Sequence, residues 1–117
     1  MIEILSKSDI DNIQDNKLKQ YLIKSLNELP EDFDYLNDGY FVIIENQDEI
    51  KSKAIKLSNC TLNSLDEDLY DDINMVEIKD GIIEVLVFLD IDVNVSFVML
   101  ENILDLEIMQ KLQEYII

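Results

Sequence analysis

The side chains of this sequence that can do chemistry are carboxylates, and they fall into three groups. Asp90, Asp92, Asn94, Ser96 and Glu101 occupy positions one, three, five, seven and twelve of a twelve-residue window, the oxygen-ligand spacing of an EF-hand calcium loop. Position six is Val95, where such a loop uses glycine to turn sharply. The flanks have the composition of strands, and a hairpin turn in which Asp and Asn bond their own backbone accounts for the same residues. Asp90, Asp92 and Glu101 are thus weak metal candidates, and no metal or other cofactor is expected. The second group is Asp66-Glu67-Asp68-Leu69-Tyr70-Asp71-Asp72, and the third is Glu31-Asp32-Phe33-Asp34-Tyr35-Leu36-Asn37-Asp38. Both interleave acids with aromatic residues.

Carboxylates so placed can hold Mg²⁺ or Mn²⁺ for phosphoryl chemistry, because hard cations prefer oxygen ligands. That chemistry also needs cationic groups to hold an anionic substrate and stabilise its transition state. The chain has no Arg, no His and nine Lys against 26 Asp and Glu, a formal net charge of −17. His is the usual proton shuttle near neutral pH and Arg the usual bidentate clamp, so most catalytic constellations are excluded. Its two glycines, Gly39 and Gly81, provide no phosphate-cradling loop. Cys60 is the sole cysteine and has no His or Arg to lower its pKa, so a structural thiol is expected. The sequence therefore predicts no enzyme, and the charge opposes nucleic-acid binding.

A basic protein is the partner that remains. Carboxylates speed and orient its approach, while buried Tyr and Phe supply anchoring area. The residues expected to carry this are Asp66, Glu67, Asp68, Asp71 and Asp72 with Tyr70 as an anchor. Glu31, Asp32, Asp34 and Tyr35 form a second patch. A solvated helical turn with its aromatic residue facing the core is the competing reading of each cluster.

The elements that must position these groups follow from periodicity. Asp15 to Leu29 places Leu18, Leu22, Leu26 and Leu29 on one helical face, with Lys17, Lys19, Lys24 and Glu28 pointing elsewhere; Pro30 ends the helix. Ser8-Asp9-Ile10 begins a short turn before it, with Ile10 and Ile13 facing inward. Tyr40 to Glu45 predicts a strand buried on both faces, and Ile55, Leu57 and Cys60 a second strand antiparallel to it. Ser64 to Glu67 has the capping-box form before a short helix. Met75 to Lys79, Ile82 to Leu89 and Val95 to Leu100 predict a three-stranded meander turning at Asp80-Gly81. A closing helix from Asn102 to Ile116 stacks Leu104, Ile108, Leu112 and Tyr115. Residues 1–117 thus read as a single α+β domain, an antiparallel sheet of about five strands with N-terminal and C-terminal amphipathic helices. Both faces of Ile82 to Leu89 are apolar, so the second face needs cover from a helix or from another copy of the chain.

Leu29-Pro30-Glu31-Asp32-Phe33 resembles the Leu-Pro-x-Asp-aromatic signature of a superfamily of bacterial immunity proteins. The resemblance covers those residues alone, and the chain has no tryptophan, which that family carries. An unpaired Cys60, no basic-then-apolar start and no long apolar run predict a cytoplasmic protein without membrane contact. The leading expectation is a non-enzymatic immunity protein that masks the basic active site of a nuclease toxin. A nucleic-acid mimic from a phage or mobile element, a self-associating adaptor and a divalent-metal protein are the alternatives.

Overall fold

The computed structural model describes residues 1–34, 39–50, 55–56, 61–62, 73–90 and 93–116. Among the described residues seven strands are formed: β1 (Ile2–Ile4), β2 (Gly39–Ile44), β3 (Ile55–Lys56), β4 (Thr61–Leu62), β5 (Ile73–Lys79), β6 (Ile82–Asp90) and β7 (Val93–Leu100). Helices α1 (Asn16–Asn27), α2 (Gln47–Ile50) and α3 (Leu106–Leu112) join them, with 3-10 turns at Lys7–Asn12, Glu101–Ile103 and Gln113–Tyr115.

The meander forms as its pattern predicts. Asp80 and Gly81 both take positive φ, 55° and 78°, as a two-residue hairpin turn between β5 and β6 requires. The rest of the sheet departs from the antiparallel expectation. Its order is β1-β2-β7-β6-β5, and β2 runs parallel to β7, with Gly39 opposite Asn94 and Ile44 opposite Met99. The sheet is therefore mixed. The physical reason lies in β2 itself: Tyr40, Val42, Ile43 and Ile44 are all buried, and a strand apolar on both faces can sit centrally in either direction. Ile55 and Lys56 do not pair with β2. They face Leu62 and Thr61 in a separate two-stranded ladder, while β2's other neighbour is β1, which the sequence did not reveal because it is three residues long. Leu57 and Cys60, and the capping-box segment at Ser64 to Glu67, lie outside the described residues.

Helices cover both faces of this sheet. Leu18, Leu22 and Leu26 of α1 pack with Ile10 and Ile13 onto Ile4, Ile43, Ile82 and Val98. Burying each such side chain is worth about 1.5–3 kcal/mol. On the opposite face Ile108 and Leu112 of α3 and Ile50 of α2 cover Val42, Val76, Ile83, Val85, Val87, Val95 and Phe97.

The closing helix is not continuous. Leu104 is extended (ψ 137°), and a new helix starts where the Asp105 carboxylate accepts from the Ile108 amide at 2.9 Å. The apolar spacing still works, because Leu104 and Tyr115 pack against the same core as Ile108 and Leu112. Among the described residues no helix is long and apolar enough to cross a membrane.

Candidate functional site

Helix α1 carries two stripes. Leu18, Leu22 and Leu26 enter the core, while Lys17, Tyr21, Lys24 and Glu28 run along the flank at helical spacing and border open space. The facing wall comes from β5 and β6. Alternation puts Ile82 and Glu84 on the α1 side of the sheet, since Ile83 and Val85 are buried on the α3 side. The antiparallel register sets Glu77 of β5 opposite Glu84 of β6, and Lys79 opposite Ile82. Between helix flank and strands lies a groove of about 760 Å³, with Leu29, Phe41 and Ile82 as its apolar lining.

Two glutamates standing opposite each other on adjacent strands repel, and such pairs weaken a sheet. The Tyr21 hydroxyl offsets part of this by donating to Glu84 Oε1 at 3.0 Å. Burial raises the Glu84 carboxyl above its ordinary value, the Tyr21 bond pulls it down again, and the charge of Glu77 adds to the rise. The Tyr21 phenol is also held well above its ordinary value. Burial is the main cause, followed by the charge of Glu84 and the hydrogen bond to it, with Ser25 opposing. Tyr21 therefore remains a protonated donor. Lys17, Lys24 and Lys79 stand around the groove, yet none of the described lysines forms an ion pair with Glu77 or Glu84. The arrangement is a pair of carboxylates, one of them half-buried, sharing a groove with three lysines to which neither is paired.

Several other carboxylates have local structural work. Asp15 caps α1, accepting from the Leu18 amide at 2.9 Å, and Asp9 accepts from Leu5 and Ser6 at 2.9 and 3.1 Å. Glu45 receives the amides of Gln14 and Asp15 at 3.2 and 3.4 Å, tying the end of β2 to the start of α1. Glu49 accepts from the Met1 ammonium at 2.9 Å and from the Glu45 amide at 3.1 Å. Part of the acidity thus satisfies backbone donors.

Of the residues singled out from sequence, Glu31, Asp32 and Asp34 are exposed and come shortly after the groove-lining Glu28 and Leu29 in the chain. Asp66, Glu67, Asp68, Tyr70, Asp71 and Asp72, with Tyr35, lie outside the described residues. The twelve-residue calcium window is not drawn into a loop. Asp90 ends β6 and Glu101 follows the far end of β7, so eight extended residues, about 26 Å at 3.3 Å each, separate them. Asp92 is outside the described residues. Among the described residues no group of three or more His, Cys, Asp or Glu side chains is gathered for a metal.

Sequence reasoning did not pick out Glu84, Glu77 or Tyr21. A signal was present, since Glu84 is a lone charge in the apolar run Ile82 to Leu89. Its partner Tyr21 is 63 residues away. The chain matches no protein-family model, and comparison with curated proteins and with solved structures gives no match.

Proposed function

We propose that this chain is a non-enzymatic acidic binding protein that holds and neutralises a basic protein partner. The observation that carries this reading is the groove between α1 and the β5–β6 hairpin, where Glu77 and Glu84 face an opening with no described lysine paired to them. Glu28 lines it, and a run of exposed acids follows Glu28 in the chain. Glu28, Glu31, Asp32 and Asp34 fall within seven residues at the C-terminal end of α1. Glu28 is the C-cap of α1, where the helix dipole disfavours negative charge, and Glu31, Asp32 and Asp34 lie beyond the helix, so helix stability does not account for these acids. A cationic partner does, because complementary potential speeds encounter and fixes orientation.

The finer form of the proposal is a cytoplasmic immunity protein of bacterial origin against a nuclease toxin, whose site must be basic to hold its own substrate. The run Asp66-Glu67-Asp68-Leu69-Tyr70-Asp71-Asp72 is included in the proposal on its sequence alone. Capture from native lysate on the immobilised chain tests the reading, run beside a variant with Glu31→Gln, Asp32→Asn, Asp34→Asn, Asp66→Asn, Glu67→Gln, Asp68→Asn, Asp71→Asn and Asp72→Asn. A basic protein retained in stoichiometric amount by the native chain and lost from the variant supports it. The same proteins on both columns, or self-association as the sole interaction, would overturn it.

A further inference from the structure

We infer that the groove between α1 and β5–β6 receives one isolated arginine or lysine side chain of the partner, its cationic head on Glu77 and Glu84. The inference rests on the binding reading above and assigns its contact residues. Four observations converge on it. Glu77 and Glu84 are register partners, so their side chains rise from adjacent strands on one face and present carboxylates to a single guest. The Tyr21 hydroxyl engages Glu84 Oε1, leaving the remaining acceptor positions of both carboxylates for other donors. Phe41, Leu29 and Ile82 give the methylene stem of a long cationic side chain an apolar surface to lie on. A polyamine-like or polybasic guest fits poorly, because further positive charges would meet Lys17, Lys24 and Lys79, which also line the groove. The guest is therefore a single cationic side chain rather than a run of them.

Charge linkage gives the proposal a second handle. The groups facing Glu84 are Tyr21, Lys17, Lys24 and Glu28 from α1, and Glu77, Lys79 and Asp80 from β5 and its turn. Of these, Tyr21 and Glu77 act on the Glu84 carboxyl, which sits above its ordinary value. A bound cation favours the ionised form, so its affinity should climb as pH rises through the Glu84 titration.

The test is an NMR titration of the labelled full chain with N-acetyl-arginine amide, N-acetyl-lysine amide, N-acetyl-norleucine amide and triarginine amide. The two single cations should shift signals of Tyr21, Glu77 and Glu84 with a dissociation constant of about 1–10 mM, as befits one side chain. Norleucine amide should leave them in place, and triarginine should bind the groove no more tightly than the single cation does. Glu84→Gln and Glu77→Gln, each checked for an unchanged fold by its amide spectrum, should each weaken the single cation about tenfold, the loss of one charge-assisted contact. Equal shifts from norleucine amide, no shift at the groove, or tight triarginine binding there would overturn the inference. If the groove is silent while capture of a basic protein still depends on the exposed acids, the binding reading stands and this assignment falls. If the groove takes the cation but capture is insensitive to those acids, the reverse holds.

Discussion

Glu84 sits in the middle of an apolar strand, half-buried, opposite another glutamate, with a tyrosine hydroxyl as its donor. Its folded carboxyl titrates above the ordinary 4.5, so between that value and the raised one the folded chain holds a proton that the unfolded chain has released. Stability contributed by this residue is accordingly greatest below the ordinary value and falls as pH rises through the window. Glu84→Gln removes the dependence. In urea unfolding at a series of pH values, the variant should gain on the native chain from pH 4 to pH 7, and a constant difference would contradict the raised titration. A residue that lowers stability at neutral pH is retained more readily when it contacts something, which is the logic behind the groove. Gly39 makes a different demand. With φ at +145° and a Cβ position 2.6 Å from the Asn94 carbonyl oxygen, Gly39→Ala should cost about 1–3 kcal/mol in the same assay. The close approach of Gly39 to β7 was not legible in the sequence, since that contact arises from the parallel pairing.

At the scale of elements, local patterns predicted most of what formed and missed what depends on distant partners. The Leu18, Leu22 and Leu26 stripe, the buried run of β2 and the hairpin at Asp80-Gly81 all follow from short-range periodicity and turn chemistry. The direction of β2 does not, because its parallel neighbour β7 begins 54 positions later and an apolar two-faced strand encodes no orientation. Periodicity also ran the closing helix through Leu104, where Asp105 instead begins α3 as its N-cap. The caps are testable in themselves. Asp15→Ala and Asp105→Ala should each lose about 0.5–2 kcal/mol on thermal or urea unfolding, since each leaves a helical amide unsatisfied. An unchanged midpoint would mean that these two carboxylates are surplus to the fold and belong with the exposed acids. The calcium-like spacing at Asp90 to Glu101 failed for an elemental reason too: a strand spreads over about 26 Å what a loop would gather.

Over the whole molecule the charge of −17 divides into parts with different physical roles. Asp9, Asp15, Glu45, Glu49 and Asp105 accept backbone or terminal donors. Asp11, Asp48, Glu101, Glu107 and Glu114 are exposed and dispersed over different elements. Glu28 lines the groove with Glu77 and Glu84, and the exposed Glu31, Asp32 and Asp34 follow it within six residues of chain. The composition announced an anionic surface, but not where the charge would gather, because that depends on β5 and β6 meeting the flank of α1. Stopped-flow association of the captured basic partner with the native chain and with the Glu31→Gln, Asp32→Asn, Asp34→Asn variant, from 20 mM to about 500 mM salt, probes this most directly. The native rate should fall steeply with salt, and the variant should associate several-fold more slowly at low salt and converge on the native rate at high salt. Identical rates at every ionic strength would contradict the claim that this acidic face was shaped for a cationic partner.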